Sequence, residues 1–545
     1  MSRDNLKLLF IIPARFGSKG IPRKNLKILN GKPLIFYAIN NAIKMPCKKE
    51  VVVTSDSEEI LSMATKFGAK ALERPAELAG DQTTLDPVIF HAFKSFSTDI
   101  KFDYVVILQP TSPLLSVKSL ENAIEFIFLN KKIDSLISVK EERHLSWKYE
   151  NGKYVPDYKE RKNRQYLAPK FVETGGFVIS KPKFISENSK LGDRVSIWNL
   201  PQHESVDIDD FDDWNLCENY LNRKKVLFVV SGYKEIGLGH VYNVLAIADE
   251  LSNYELHFLV DKKSELAFQK IKENNFNVTI QDKDSLSKCV IDLKPQLVIN
   301  DILDTNVDYM EKLKENKLKV MNFEDLGEGS VYADVVVNAM YESNKTYRKN
   351  MYFGSDYFCL KTEFYFTNPK KFSTVVSNIV ISFGGVDPNN LTLLCLHSIY
   401  DFCVSNNIEI CVVTGLGYKL HQTLSEYERI KIIKNTSQIS TYFNKADIIF
   451  TSGGRTTFEA AILGKPTIVL CQNDREMTHY FLNKNKGIIN LGLGMEISKN
   501  SILKCFKNLI DDSDKRKKMH NFQLSQNLAS SKKNVIKLIN NLVSK

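Results

Sequence analysis

A loop near the start of the sequence combines positive charge with glycine, directly after the apolar stretch LLFIIPA. It contains two glycines and four cationic residues, namely Gly17, Gly20, Arg15, Lys19, Arg23 and Lys24. Like charges this close repel each other, so we expect an anion to lie among them. Glycine lets backbone N–H groups approach such an anion closely, and together with Lys and Arg they form a polyphosphate cradle. The spacing is not that of a Walker loop, and a tight turn carrying surface charge is the alternative.

A second candidate site lies in the acidic stretch VDIDDFDDW. We predict a strand through Asp207 and Asp209, whose alternation directs both carboxylates to one face. Two such carboxylates repel unless a cation joins them, and Mg²⁺ prefers carboxylate oxygens together with substrate phosphates. The acidic residues that follow are predicted to be the N-cap and first-turn residues of a helix: Asp210, Asp212 and Asp213.

Glycine-rich turns in the second half of the sequence lead from predicted strands into helices. GYKEIGLGHVYN places His240, whose imidazole can donate or accept a proton, at the mouth of a loop. A histidine that only caps the turn is the alternative. IIFTSGGRTTFEAA places residues 452–457 at a helix N-terminus that favours a diphosphate, and Glu459 can accept ribose hydroxyls. VISFGGVDPNN supplies another glycine turn, so we expect a cleft between two lobes.

The elements that position these residues are predicted to be α/β units, because strand-like and helix-like segments alternate along all 545 residues. LLFIIPA, EVVVTSD, YVVILQPTSP and SLISV are predicted strands of a first parallel sheet. The pattern restarts at the charged joint NRKKVLF and again after YFTNPKKFST. A chain of this length exceeds one hydrophobic core. We therefore predict units at residues 1–222, 223–370 and 371–545, with the amphipathic last helix packed on a core.

The composition is that of an ordinary globular protein, with 43% hydrophobic and 25% charged residues. Lys and Arg exceed Asp and Glu by 74 to 64, but no basic strip interleaved with aromatic residues is present, so we expect no nucleic-acid partner. Nine irregularly spaced cysteines predict neither a disulfide framework nor a zinc site. No apolar run approaches the roughly 20 residues that span a bilayer, so we expect no membrane partner and a cytoplasmic location.

Five motifs in the first 222 residues resemble, in order, those of the acylneuraminate cytidylyltransferases, which include enzymes for sialic, pseudaminic and legionaminic acids. The motifs are IIPARFGSKGIPRKN, RPAELAGDQTTLDPVIFHAF, LQPTSPLL, NRQYLAPKFVETGGFVIS and VDIDDFDDW. The resemblance implies a Rossmann-like nucleotidyltransferase domain of the GT-A type, and a homodimer through this domain. It also implies transfer of CMP from CTP to the anomeric hydroxyl of a nine-carbon 2-keto sugar acid, with release of pyrophosphate.

The same resemblance implies site residues. Those that hold the triphosphate would be Arg15, Ser18, Lys19 and Lys24, with Asn25 beside them. The sugar and nucleotide pocket would be lined by Gln109, Ser112, Arg164 and Gln165. Asp207 and Asp209 would bind Mg²⁺, which with the cations would stabilise charge on the α-phosphorus and the leaving pyrophosphate. Phe16 stands where the family usually has glycine, and VTSD replaces a commoner sequence, which leaves rate and base preference open.

Residues 224–500 resemble the UDP-sugar hydrolase of pseudaminic acid biosynthesis, a relative of the two-lobed GT-B glycosyltransferases. The matching stretches are GLGH, NFEDL, ADVVVNAMY, ISFGGVDPNNLT and TSGGRTTFEAAILGKPTIVLCQND. The resemblance implies that His240, beside Gly239, is the general acid/base near a water at the anomeric carbon. UDP would be held by Ser452, Gly453, Gly454, Thr456, Thr457 and Glu459.

The second half also departs from that resemblance. Asn243 occupies the arginine place of G-x-G-H-x-x-R, Lys361 occupies another usual arginine, and INDILD lacks a frequent tyrosine. The leading hypothesis is a bifunctional enzyme of nonulosonic acid supply, whose second half hydrolyses a UDP-linked amino sugar. Two alternatives stay open for that half: a glycosyltransferase, or a catalytically silent module that binds a nucleotide sugar.

Overall fold

The computed structural model describes residues 6–18, 20–80, 82–97, 100–233, 236–282, 284–342, 348–419 and 421–544. The chain divides into two compact units, Met1–Arg223 and Lys224–Lys545. Both have the predicted α/β architecture, with mainly parallel sheets between layers of helices. Within the described residues, no helix is both long enough and apolar enough to cross a bilayer.

The first unit contains eleven described strands, β1 (Lys7–Pro13), β2 (Ile28–Leu29), β3 (Lys32–Pro33), β4 (Lys48–Ser55), β5 (Lys70–Glu73), β6 (Tyr104–Ile107), β7 (Ser135–Glu142), β8 (Trp147–Glu150), β9 (Lys153–Pro156), β10 (Lys170–Ser180) and β11 (Val195–Asn199). Its described α-helices are α1 (Ile35–Lys44), α2 (Glu58–Lys66), α3 (Leu85–Ser97), α4 (Val117–Leu129) and α5 (Phe211–Asn222). Seven strands form one sheet in the order β11–β7–β10–β6–β1–β4–β5, and the ribbons β2–β3 and β8–β9 stand apart from it.

The sheet of the first unit is parallel except at β10, which runs antiparallel to β6 and β7. This differs from the all-parallel sheet predicted. Among the described residues no α-helix separates β7 from β10, and a strand that returns without a crossover helix is antiparallel to its neighbour. Residues 8–12 of β1 are fully buried and contribute to hydrophobic clusters on both faces, so the opening loop starts from a rigid core strand.

The second unit consists of two parallel α/β lobes. The first lobe contains β12 (Lys225–Val230), α6 (Gly239–Ala248), β13 (Glu255–Val260), α7 (Glu265–Glu273), β14 (Val278–Ile280), α8 (Leu286–Asp292), β15 (Leu297–Asp301), α9 (Val307–Glu315), β16 (Lys319–Phe323), β17 (Val335–Asn338) and β18 (Met351–Phe353), followed by the short α10 (Thr362–Tyr365). Its sheet has the order β14–β13–β12–β15–β16–β17–β18, and every pair is parallel.

The second lobe contains β19 (Asn378–Ile381), α11 (Leu391–Ser405), β20 (Glu409–Thr414), α12 (His421–Ser425), β21 (Ile430–Lys434), α13 (Ile439–Lys445), β22 (Ile448–Thr451), α14 (Thr456–Ile462), β23 (Thr467–Cys471), α15 (Asp474–Met477), α16 (Tyr480–Lys484), β24 (Ile488–Leu493), α17 (Lys499–Asp511) and α18 (Ser513–Leu524). Its parallel sheet has the order β21–β20–β19–β22–β23–β24. Two such lobes in succession are the GT-B-like arrangement that was predicted.

A last helix, α19 (Ser531–Ser544), packs on the first lobe. Val535 and Ile539 are fully buried in the core of that lobe, and the Tyr254 hydroxyl donates to Asn540 Oδ1 over 2.8 Å. As predicted, the amphipathic helix covers a core. The range 371–545 predicted for the last lobe nevertheless includes it, because its four-residue apolar spacing matches a face of the preceding lobe.

Candidate active sites

The opening loop of the first unit closes against the acidic segment at residues 207–209. Lys24 Nζ donates to the carbonyl oxygen of Ile208 over 2.6 Å and lies 3.8 Å from Asp209 Oδ1. A Cβ atom on Gly20 would lie 2.1 Å from the carbonyl oxygen of Asp209, so only glycine permits this approach. The cationic loop and the acidic pair, predicted separately from the sequence, therefore form one site.

Contacts within the loop separate its cations. Asn25, which is buried, donates from Nδ2 to the carbonyl oxygen of Arg15 over 2.8 Å, and this bond fixes the path of the loop. Arg23 forms an ion pair with Glu59, so one of the four gathered cations has an acidic partner of its own. Of the other predicted triphosphate ligands, Ser18 is half-buried on the loop, and Lys19 lies outside the described residues.

A buried guanidinium, to which the sequence assigned no role, lies beside this loop. Arg74 follows β5, is 7% exposed, and donates from Nη2 to the carbonyl oxygen of Thr54 over 2.9 Å. Its Nε has no partner among the described residues. Burial lowers the pKa of Arg74, and the positive charge of Arg15 lowers it further. An unpaired buried donor next to a cationic loop suits an anionic ligand, and its position at the start of the RPAELAG motif was the available signal.

The two predicted metal ligands differ in environment. Asp207 is half-buried, and its Oδ1 has no hydrogen-bond partner in the described part of the chain. The side chain of Asp209 is 84% exposed. The predicted strand through them is wrong, since residues 206–209 form no ladder and only the Ile208 N–H donates to Thr111, over 2.9 Å. Burial raises the pKa of Asp207, and the nearby Asp209 carboxylate raises it further.

The acidic residues after this segment have the structural role predicted for them. Asp210 is the N-cap of α5, and its carboxylate accepts from the N–H groups of Asp212 and Asp213 over 2.9 and 3.0 Å. Asp213 in turn accepts from the N–H of Asp209 over 3.0 Å. The demands of this capping box explain why the chain does not continue as a strand through residues 207–209.

Buried hydroxyl groups lie behind Asp207. The Oγ1 of Thr111 and the Oγ of Ser112 are buried and lack partners among the described residues. A Cβ atom on Gly175 would lie 3.0 Å from both Asp207 Oδ1 and Thr111 Oγ1, so glycine leaves room for these oxygens. Ser112, one of the predicted pocket residues, is thus adjacent to the carboxylate in this polar region, and Gln109 is half-buried where β6 ends.

The remaining predicted pocket residues lie elsewhere on the first unit. Arg164 and Gln165 belong to an exposed turn, Arg164–Tyr166, and neither side chain hydrogen bonds to another described residue. The carbonyl oxygen of Gln165 accepts from Arg143 over 3.5 Å, which ties the turn to the end of β7. The structure does not bring these two side chains to the loop or to Asp207.

A cavity of about 320 Å³ lies between the two lobes of the second unit, as predicted from its glycine turns. The predicted residues in its lining are Gly239, His240, Ser452, Gly454, Thr456 and Glu459. Gly453 and Thr457 are buried beside the cavity and are not among its lining residues.

His240 forms a dyad with a carboxylate that was not identified from the sequence. Its Nδ1 lies 2.5 Å from Oδ1 of Asp301, the fully buried last residue of β15. Because a carboxylate accepts hydrogen bonds, the imidazole donates from Nδ1 and its Nε2 is the acceptor. The alternative of a histidine that only caps its turn is not supported. The carboxyl end of a parallel strand was the available signal for Asp301.

Glu476, another residue missed from the sequence, holds the glycine loop after β22. Its Oε2 accepts from the N–H groups of Gly453 and Gln472 over 2.9 and 2.8 Å. Burial raises the pKa of Glu476 to about 7. The Gly453 amide is therefore already bonded within the protein, which explains why Gly453 does not line the cavity.

The glycine turn after β19 is likewise closed by an acidic side chain. Asp387 accepts from the N–H groups of Leu391 and Thr392 over 2.9 and 2.8 Å, at the start of α11. Gln472 donates from Nε2 to the same carboxylate over 2.8 Å. These two amides are bonded to Asp387, so the nucleotide-binding prediction now depends on the loop after β22.

Lys361 occupies one of the departures noted in the sequence, and it pairs with Glu459. Its Nζ lies 3.6 Å from Glu459 Oε1 and 4.1 Å from the centre of the Tyr242 ring. Burial lowers the pKa of Lys361, but the Glu459 carboxylate outweighs burial, and the pKa is raised overall. A positive charge is thus retained in the cavity lining where the resembling hydrolase has arginine.

Glu324, which directly follows β16, is a further carboxyl group in the cavity lining. Its backbone has a φ of 50°, and its Oε1 and Oε2 accept from the N–H groups of Ala339 and Met340 over 3.1 and 3.3 Å. Burial raises the pKa of Glu324 to about 8, and the negative charge of Asp301 adds to the rise. Strained backbone and a neutral carboxyl group are both typical of functional sites.

Comparison with known proteins gives the chain a family. A family model described as cytidylyltransferase matches residues 9–164. The pseudaminic acid cytidylyltransferase of Campylobacter jejuni is 35% identical over 217 residues, 38% of this chain and 93% of that protein. An uncharacterized protein of Methanocaldococcus jannaschii is 34% identical over 277 residues, 47% of this chain, and this chain spans only 57% of its length. A crystal structure of Acinetobacter baumannii MurG is similar to 58% of this chain and 99% of its own, with 15% identity and a TM-score of 0.43. The identity and coverage of the Campylobacter relative show that this chain belongs to the cytidylyltransferase family.

Proposed function

We propose that the first unit transfers CMP from CTP to the anomeric hydroxyl of a nine-carbon 2-keto sugar acid. The hydroxyl oxygen forms a bond to the α-phosphorus, the bond from that phosphorus to the bridging oxygen breaks, and pyrophosphate leaves with its electron pair. The observation that carries the proposal is the closure of the cationic loop on Asp209, because Lys24 and the acidic pair then share one site. Family membership and the name of the Campylobacter relative support the same chemistry.

We propose that Asp207 and Asp209 hold Mg²⁺ in this site. A buried carboxylate oxygen without a partner is costly unless a cation or donor reaches it, and Asp207 Oδ1 is such an oxygen among the described residues. Carboxylate oxygens are also the donor type that Mg²⁺ prefers. When bound, the ion would stabilise negative charge on the reacting phosphates. Lys24 and Arg15 would bind the phosphates, and the buried Arg74 would add a third positive charge.

Mass spectrometry of products from CTP with sialic, legionaminic or pseudaminic acid tests the proposal. We expect one of the three acids to give a CMP-linked product and an equal amount of pyrophosphate when Mg²⁺ is present. Asp207→Asn should abolish that product, whereas His240→Gln, a change in the second unit, should leave it unchanged. Lys19→Ala should weaken the use of CTP. Absence of any CMP-linked product with all three acids would contradict the proposal.

For the second unit we propose hydrolysis of a UDP-linked amino sugar in the cavity between its lobes. Asp301 orients His240, whose Nε2 takes a proton from water. The water oxygen bonds to the anomeric carbon, the bond from that carbon to the phosphate oxygen breaks, and UDP leaves as an anion. Lys361 and Arg455 line the cavity and supply positive charge for the diphosphate.

Release of UDP from a panel of UDP-linked acetamido sugars separates this function from its alternatives. Hydrolysis predicts release with water alone, and His240→Gln should remove it. A glycosyltransferase would release UDP only when an acceptor is added, because the same histidine would then deprotonate an acceptor hydroxyl. UDP binding without release under either condition would indicate a silent nucleotide-sugar-binding module.

We also propose that the first unit forms a homodimer through the ribbon β8–β9. Trp147, Tyr149 and Tyr154 on this ribbon are 55%, 65% and 76% exposed, and the two tyrosine rings pack 5.0 Å apart. A contiguous aromatic surface is typical of an interface, and a second copy is the occupant that the resemblance implies. Light scattering should give the mass of a dimer for the wild type and that of a monomer for Tyr154→Lys. A monomeric wild type would contradict the proposal.

A further inference from the structure

Two side chains of one helix bind the same buried carboxylate in the second unit. His240 Nδ1 lies 2.5 Å from Oδ1 of Asp301, and Asn243 Nδ2 donates to Oδ2 of Asp301 over 2.7 Å. His240 and Asn243 are three residues apart on α6, so both lie on the helix face that covers the end of β15. Each carboxylate oxygen therefore has its own donor, and rotation of the carboxylate would break both bonds.

The polarity of Asn243 requires an explanation, because its surroundings favour an apolar residue. Asn243 is 3% exposed, and its neighbours on α6, Val241, Val244 and Leu245, belong to the core of the lobe. Burial of an amide costs roughly 1–3 kcal/mol unless the amide is hydrogen bonded. Leucine would fill a similar volume without this cost, but it could not donate to Asp301. The bond to Asp301 is thus what the amide contributes at this position.

We propose that Asn243 is a positioning residue for His240 and that it acts through Asp301; the inference rests on the proposed UDP-sugar hydrolysis. By fixing one oxygen of Asp301, Asn243 keeps the other oxygen on Nδ1 of His240. The imidazole is then held as the tautomer with its proton on Nδ1, and Nε2 is left to take a proton from water.

A neutral donor suits this role better than a cation does. When His240 takes a proton, the imidazolium is stabilised by the negative charge of Asp301. An amide binds Asp301 without adding positive charge, so that negative charge remains available to the imidazolium. An arginine at position 243, as in the motif of the resembling hydrolase, would compete for it. The departure at Asn243 is therefore expected to strengthen His240 as a base.

Nitrogen NMR of the full chain labelled with ¹⁵N-histidine tests the positioning without any substrate. His240→Gln identifies the His240 signals among those of the nine histidines. We expect a single Nδ1–H tautomer in the wild type, and a mixture of two tautomers in Asn243→Leu, which keeps the volume but removes the donor. Asn350→Ala is the matched control, since Asn350 donates over 2.8 Å to the carbonyl oxygen of Ala333 in the same lobe and does not contact His240.

A folded Asn243→Leu variant with the wild-type His240 tautomer would overturn the inference. If Asn243→Leu does not fold, Asn243→Ser carries the same expectation, because its hydroxyl is too short to replace the amide. Arginine at this position, in Asn243→Arg, should fold and lower the rate of UDP release rather than raise it. An unchanged or increased rate in that variant would overturn the argument from charge.

Kinetics separates positioning from binding. In Asn243→Leu we expect kcat for UDP release to fall about 10- to 100-fold, the usual effect of a lost outer partner. The Kd for UDP should stay unchanged, as it should in Asn350→Ala. An equal loss of UDP affinity and kcat would mean that Asn243 is only structural. If the wild type releases no UDP while the NMR result is as expected, the positioning stands and the proposed hydrolysis fails.

Discussion

Arg475, on α15 of the second lobe, donates to both carboxylate oxygens of Asp304, on the first lobe, over 3.0 and 3.2 Å. The same guanidinium donates to the carbonyl oxygen of Glu324 over 2.8 Å and to the Tyr341 hydroxyl over 2.7 Å. One side chain of the second lobe thus binds three strand-end loops of the first. Arg475 holds the wall of the cavity that carries Glu324.

The first prediction follows from the different exposure of these contacts. Asp304→Asn removes only a half-exposed ion pair, so we expect the free energy of unfolding to fall by at most about 1 kcal/mol. Arg475→Ala also leaves the Glu324 carbonyl and the Tyr341 hydroxyl without their donor, so a loss of about 2–3 kcal/mol is expected, with weaker UDP binding. Urea unfolding and calorimetric titration with UDP measure both. Equal losses in the two variants would contradict this account of the clamp.

The second prediction compares two glycines of the opening loop. A Cβ atom on Gly20 would meet the carbonyl oxygen of Asp209 at 2.1 Å, whereas one on Gly17 would have nothing within 4 Å. Gly20→Ala should displace the loop from the acidic segment and lower CMP transfer by about 100-fold, since shifts of 1 Å cost that much in oriented sites. Gly17→Ala is the matched control and should retain wild-type kcat/KM for CTP. Similar rates in both variants would show that closure of the loop does not matter.

The third prediction concerns the stability cost of Asp207. Its folded-state pKa is raised, so the native state holds its proton more tightly than the unfolded state, and stability is lost as pH rises through the folded pKa. At neutral pH without metal, Asp207→Asn should therefore raise Tm, by roughly 1–4 °C, while abolishing CMP transfer. Asp209→Asn, at an exposed carboxylate, should leave Tm unchanged. Thermal unfolding in EDTA measures both variants, and a lower Tm for Asp207→Asn would refute the prediction.

The fourth prediction is a pH dependence of the second unit. Glu476 and Glu324 have folded-state pKa values of about 7 and about 8, both above the ordinary value for glutamate. The native state therefore holds these protons to higher pH than the unfolded state. Their contribution to stability is complete at acid pH and is lost as pH rises through 7 and 8, by up to about 1.4 kcal/mol per pH unit for each group.

Glu476→Gln tests this directly, because a glutamine oxygen can still accept from both N–H groups. Urea unfolding between pH 6 and pH 9 should show a shallower fall in stability for the variant than for the wild type. UDP affinity should also fall less with pH in the variant, because one fewer carboxylate then faces the diphosphate. Parallel pH profiles for the two proteins would argue against a raised pKa at Glu476.

The sequence predicted what local patterns determine. Buried strands such as β1 are continuous apolar runs, and the loop after β1 carries its cations within ten residues, so the strand and the loop were both found. The partner of His240 was not predicted, because Asp301 lies 61 residues away and only the fold of the first lobe brings them together. The bond between Glu476 and Gly453 likewise spans 23 residues. The strand predicted through Asp207 and Asp209 failed because two-residue alternation is a weak local signal, which the N-cap of α5 overrides.

The return of α19 to the first lobe makes the order of synthesis matter for folding. Tyr254 and its partner Asn540 are 286 residues apart, and Val535 and Ile539 fill the core of a lobe whose strands all precede residue 354. At about 5–20 residues per second, a ribosome needs roughly 15–60 s to reach Asn540 after Tyr254. The first unit has no such delay, because its contacts lie within Met1–Arg223. The nascent second unit instead carries an uncovered apolar groove while its second lobe is made, and during that interval it needs protection from aggregation.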